Sequence, residues 1–221
     1  MEGSLIMRRR RLCEGSELPL DVPTKPWSAK EFPEIADWLE QNKQPLALVI
    51  EATRRQEYYN PLVPRSADDW SPGLLHALLP NVQRCREIAS ALTCRAMLRV
   101  AEGETDQAWQ DLLACHRLAR LMGRGANFIG FYVGIAVEAI ASRTDLEFIE
   151  HSKLSSKQLL RCLEELQRLP PPAVVADMMD SVERYMMLET MLQIARYGPD
   201  VVNVINHPNA PGNAPPQEKS I

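Results

Sequence analysis

The 221-residue sequence is poor in aromatic side chains, which make up 6% of it. Stacking platforms for nucleic-acid bases are therefore scarce. It also lacks a strong charge of one sign. Twenty-nine acidic and 25 basic residues leave a formal net charge of -4, which aids solubility and gives no general attraction to nucleic acid. Cysteine is present only as Cys13, Cys85, Cys94, Cys115 and Cys162, an odd number with irregular spacing and no CxxC. That excludes a tidy disulfide framework and a compact zinc knuckle. These residues read as small apolar side chains within helices, which favours a reducing compartment. Long hydrophobic runs are missing too. The nearest, Phe128 to Ala141, is too short to span a bilayer and contains Glu138. No apolar run follows the four arginines at 8–11, so the first twenty residues do not read as a signal peptide. The expectation is a chain with no membrane span, cytoplasmic by default, and no nucleic-acid partner. Phosphate-cradling, esterase and HExxH motifs are absent, so no cofactor, metal or catalytic residue is assigned.

What the sequence does have is helical periodicity. Residues 1–27 show no period and read as an irregular basic tail. Residues 28–198 read as a single helical domain, and 199–221, rich in Pro and Asn, as a disordered tail. Ser28 and Glu31 have capping-box spacing ahead of Ile35, Trp38 and Leu39, with Pro33 early enough for a first turn to tolerate it. A second arm begins at Pro45 and carries Leu46, Val49, Ile50 and Thr53. Ser71-Pro72 starts a further helix that Pro80 interrupts. From Val82 the spacing is long and clean: Cys85, Ile88, Ala89, Leu92, Ala96, Val100. Gly103 closes that helix and Thr105 is placed as the cap of the next. The following arm puts Ala108, Trp109, Leu112, Cys115, Leu118, Ala119 and Met122 on its buried face, and ends at Gly123 and Gly125. Small residues at 126, 130 and 134 form one stripe on the next helix, as if a neighbouring backbone came close. Ser155 and Gln158 repeat the capping-box spacing before Leu159, Cys162, Leu163, Leu166 and Leu169. Pro170 to Pro172 make a rigid corner, and a last long helix ends at Gly198.

The expected fold class is therefore all-α, built of antiparallel helical hairpins. Two architectures stay open: a tetratricopeptide (TPR)-like solenoid and an irregular bundle. The hairpin around Gly103 puts Ala96, Gly103, Ala108 and Leu112 near the small and apolar positions of a TPR, but no second copy at 34 residues is clear.

Three stretches carry a resemblance: "RRQEYYNPLVP", "LLPNVQRCREIASALTCRAMLRVAEGETDQAWQDLLACHRLARL" and "GIAVEAIASRTDLEFI". From about Pro19 to Tyr197 the chain resembles a group of uncharacterised proteins of planctomycete bacteria. The resemblance implies no activity or site residue. Members of that group tend to be longer, which would make this chain an internal or shortened piece.

Several side chains invite chemistry. Cys115 and His116 are adjacent, so on a helix they point about 100° apart and do not face each other. They read as a core thiol beside a boundary imidazole. Asp177, Asp180 and Glu183 share a helix face but sit near a helix start, where acidic residues are ordinary. Glu138 and Glu189 lie in apolar company and need partners, for which Arg95, Arg99, Arg143 and Arg184 are candidates. Met178, Met179, Met186, Met187 and Met191 crowd one helix with Tyr185, and methionine suits adaptable interfaces. The candidate interface or groove is thus Glu138, Met178, Met179, Tyr185, Met186, Met187, Glu189 and Met191. The expected function is a non-enzymatic helical scaffold that binds a protein or peptide. The alternatives are a structural module of a larger, envelope-associated protein and, remotely, an enzyme of unknown class.

Overall fold

Prolines and short polar side chains set where the helices of this chain begin. In a computed structural model, which describes residues 25–59, 82–125 and 128–202 apart from the side chains at 82, 83, 177, 178, 181 and 182, every regular element is helical. The expected helix after Ser71 lies outside the described residues, as do most of both tails. Pro33 opens α1 (Pro33–Gln41), where its missing N–H costs nothing. Ser28 and Glu31 do pair, with the Glu31 carboxylate accepting from the Ser28 N–H at 2.7 Å and from its Oγ–H at 2.8 Å. They close a turn ahead of α1 instead of capping it. Asn42 makes the joint to α2 (Lys43–Ala52), its Nδ2 donating to the Trp38 carbonyl at 2.7 Å.

The centre is the hairpin of α3 (Val82–Glu102) and α4 (Thr105–Gly123). Gly103 turns it with φ of +80°, a left-handed conformation that glycine adopts without a Cβ penalty. Glu104, not Thr105, occupies the cap position of α4, and Thr105 is its first helical residue. Twelve of the nineteen residues of α4 are buried, on all sides of the helix, so it is the hub of the core. The expected apolar faces of α3 and α4 are mostly inside, with Ile88 half-buried. Cys85, Ala89, Leu92, Ala96, Ala108, Leu112, Cys115 and Met122 are all buried. Trp27 is buried with them, and its Nε1–H donates to the Cys94 carbonyl at 2.9 Å. The sequence reading had left this residue in the tail, because a lone Trp ahead of the first helix has no period to reveal it.

α5 (Phe128–His151) crosses α4 closely. A Cβ built at Gly134 would stand 2.8 Å from the Gly123 amide nitrogen and 2.9 Å from the Ala119 carbonyl oxygen. Gly134 thus meets a neighbouring backbone, as the stripe of small residues suggested; Ala126 lies outside the described residues. α6 (Ser156–Gln167) begins with the expected capping box. The Ser155 hydroxyl accepts from the Gln158 N–H, and the Gln158 side chain accepts from the Ser155 N–H at 3.0 Å.

Contacts divide the described residues into two units. The first comprises 25–58, 82–124 and 129–173; the second comprises 59, 125, 128 and 174–202. The sequence reading ran one domain through 28–198, and the division falls just past the proline corner at 170–172. In the second unit the last long helix has three parts: a single turn, α7 (Val175–Met178), a π-helical turn over Met179–Glu183, and α8 (Arg184–Tyr197). α8 stops at Gly198, whose φ is +95°. Among the described residues no helix is long and apolar enough to cross a membrane.

Candidate functional site

Cys115 and His116 separate as the helical geometry requires. The Cys115 side chain turns to α3, where its Sγ–H donates to the Ala89 carbonyl at 3.7 Å. Burial raises its thiol well above the ordinary value, with the charges of Asp111, Asp145 and Glu138 adding to the effect. A thiol that cannot ionise is a poor nucleophile. Among the described residues no cysteine is joined in a disulfide.

His116 turns to α5 instead. It is buried, not at the boundary as expected, and it lies between two carboxylates. Nδ1 is 3.1 Å from Glu138 Oε1, and Nε2 is 2.9 Å from Asp145 Oδ2. Arg120, one turn further along α4, donates from Nη2 to the same Glu138 oxygen at 3.0 Å. Burial lowers the imidazole pKa, but the hydrogen bonds and charges of Asp145 and Glu138 outweigh it and carry it to about 9. Glu138 responds in the opposite direction. Burial raises its carboxyl, yet His116 and then Arg120 hold it below the ordinary value. The partners of Glu138 are thus Arg120 and His116, and not the arginines named from sequence. Arg95 and Arg99 are occupied elsewhere. Arg95 reaches the fully buried Asp111 with Nε at 3.0 Å and Nη2 at 2.7 Å, and Arg99 reaches it with Nη1 at 2.6 Å. Burial raises the Asp111 carboxyl above its ordinary value, against the pull of the two guanidiniums. Charge-assisted, two-pronged bonds of this kind are the strong ones.

Sequence reasoning missed the cluster around His116, although a signal existed. In the apolar helix α5, Glu138 and Asp145 are seven residues apart, two turns along one face. On α4, His116 and Arg120 are four apart. Opposite charges on matching faces of two consecutive helices are a readable pairing.

The other candidates stand in the second unit. Tyr185, Met187 and Met191 are exposed, as is Met179 in the π turn, while Met186 and Glu189 are half-buried; the Met178 side chain lies outside the described residues. Glu183 is engaged, since its Oε1 accepts from the Phe128 N–H at 2.8 Å. It therefore caps the start of α5 and is not poised for a metal. Glu147, Glu150 and His151 bring three possible ligand atoms within 4.8 Å of one another. They form a surface group at the end of α5, of a kind common without an ion.

An unexpected feature is α6. Its apolar residues have helical spacing, yet none is buried. Leu159, Leu160 and Leu163 are 43%, 59% and 49% exposed. Beside them on α5, Ile149 is 51% exposed. Between these helices lies a cavity of about 270 Å³, walled by Phe148, Ile149, Leu159, Leu160, Leu163 and Leu166, with Trp109 stacked on Phe148 at 5.8 Å between ring centroids. A second cleft, of about 530 Å³, is lined by Arg120, Glu138, Ser142, Gly134, Phe131 and Pro172, among others. The described side chains thus include an apolar groove, a mixed cleft and two charged clusters, around His116 and around Asp111.

Comparison with known protein families, curated proteins and solved structures finds no match for this chain.

Proposed function

We propose that the chain is a non-enzymatic helical scaffold that binds an amphipathic helix of a protein partner along α6 and the end of α5. One observation carries this reading: a well-formed amphipathic helix leaves Leu159, Leu160 and Leu163 about half in water, over an apolar groove. Contiguous exposed apolar surface rimmed by polar residues is characteristic of interaction sites. A groove between two helices accepts a third helix through residues spaced three and four apart. The α3–α4 hairpin, turned at Gly103, supports a TPR-like origin for this part. Chemistry is the weaker reading, because the Cys115 thiol is closed into the core and His116 is turned away from it onto carboxylates.

The alternative, a structural module of a longer protein, draws support from a second exposed face. Tyr185, Met187, Leu188, Met191 and Leu192 of α8 are 48–69% exposed. Selection of displayed helical peptides against the purified chain distinguishes the two. The scaffold reading expects enrichment of amphipathic helices whose binding is lost in Leu160→Glu/Leu163→Glu and kept in Met187→Glu/Met191→Glu. Binding lost only in the α8 variant favours the module reading. No enrichment, or binding indifferent to both, removes the proposal.

A further inference from the structure

We infer that His116 is a proton-operated clasp: doubly protonated, it fixes α5 on α4, and loss of one proton loosens that pair. The argument begins with atom counting. A neutral imidazole has one N–H and one lone pair, whereas the imidazolium has two N–H donors. Both ring nitrogens face carboxylate oxygens, at 3.1 Å and 2.9 Å. A neutral ring would set its lone pair against one of those oxygens. Only the imidazolium satisfies both.

The surrounding charges agree. From α5 come Glu138 and Asp145. On α4 itself stand Arg120, bonded to Glu138, and Asp111, which is taken up by Arg95 and Arg99 of α3. From α6 come the Cys162 thiol, which feels the charge of Asp145, and Glu165, which accepts from Trp109 Nε1. At the clasp, two cations meet two anions. Removing the imidazole proton leaves one anion in excess at a site where Glu138 Oε2 and Asp145 Oδ1 are already buried without a hydrogen-bond partner among the described residues. Uncompensated charge in such a place is costly. The two carboxylates are two turns apart, so the ring grips the middle of α5 at two levels.

The direction with pH follows. The folded value, about 9, lies above the ordinary imidazole value of 6.5. The clasp's contribution is complete below about 6.5 and is lost as pH rises through about 9. On the acid side, Glu138 is depressed, so its share is lost only as pH falls through that lowered value.

The test uses the full chain carrying His76→Gln, His151→Gln and His207→Gln, which leaves His116 as the sole histidine, with isotope-labelled imidazole. Nitrogen NMR should show both ring nitrogens protonated at neutral pH, with a titration midpoint near 9. Urea unfolding of the same chain should lose stability from pH 7 to 10, while His116→Gln stays flat over that window. Should His116→Gln not fold, Asp145→Asn gives a second reading, since its His116 midpoint should move down toward 6.5. A neutral tautomer at pH 7, a midpoint at or below 6.5, or a midpoint indifferent to Asp145→Asn would overturn the inference.

Discussion

Two helices of the first unit carry the same kind of apolar spacing and meet opposite fates. α4 buries residues on every side, including the charged Asp111 and His116. α6 buries none, although its leucines are better segregated from its charges than the apolar residues of α4 are. A period of three and four therefore says which side of a helix is apolar, and not whether anything covers that side. Coverage depends on how many neighbours surround the helix. α4 has α3 against one side and α5 closely against another, with polar side chains answered by partners on both. α6 touches α4 through the Glu165 carboxylate beneath Trp109 and leaves its leucine flank open.

This contrast can be broken most forcefully at the centre of α4. Asp111→Ala would strand Arg95 in the core and Arg99 at its edge, and loss of one member of a buried ion cluster costs about 3–5 kcal/mol. Urea unfolding should register a loss of that size, or the variant should fail to fold. Leu112→Ala, at a fully buried site, should cost about 2–5 kcal/mol, whereas Leu163→Ala should cost less than about 1 kcal/mol. Equal losses for the two leucines would erase the distinction between the helices. Gly134→Ala tests the close crossing of α4 and α5. Its new methyl group would meet backbone atoms at 2.8–3.0 Å, and overpacking of this kind costs about 1–3 kcal/mol, read as a lower thermal midpoint. The mildest change is Ser155→Ala, which removes one side of the α6 capping box. About 1 kcal/mol is expected, since capping serines typically contribute that much. A loss near zero would mean that α6 is held by something other than its own start.

Some elements were legible in the sequence alone. The α3–α4 hairpin was, because Gly103 interrupts two long periodic arms. So were the capping box at Ser155 and the close approach at Gly134, which are local signals. The core position of Trp27 was not, since its contact to the Cys94 carbonyl is made 67 residues away. The His116 cluster was legible only in part: the spacings of Glu138 and Asp145 and of His116 and Arg120 mark two charged faces, but these partners, 22 and 29 residues from His116, meet only once α5 is laid on α4. The division just past the proline corner was not legible, because Pro170 to Pro172 mark a corner without saying that a separate unit begins there. The candidate interface drawn from methionines fell in the second unit, apart from Glu138. The open flank of α6 was not legible either, because the spacing of Leu159, Leu163 and Leu166 marks an apolar side and is silent about neighbours.

The central claim, that this flank is surface in the isolated chain, is tested most directly by urea unfolding of Leu160→Glu/Leu163→Glu. If the flank is open in the isolated chain, the double variant folds and loses no more than about 1 kcal/mol, as surface changes do. A loss above about 3 kcal/mol, the signature of charge forced into a closed core, would contradict it.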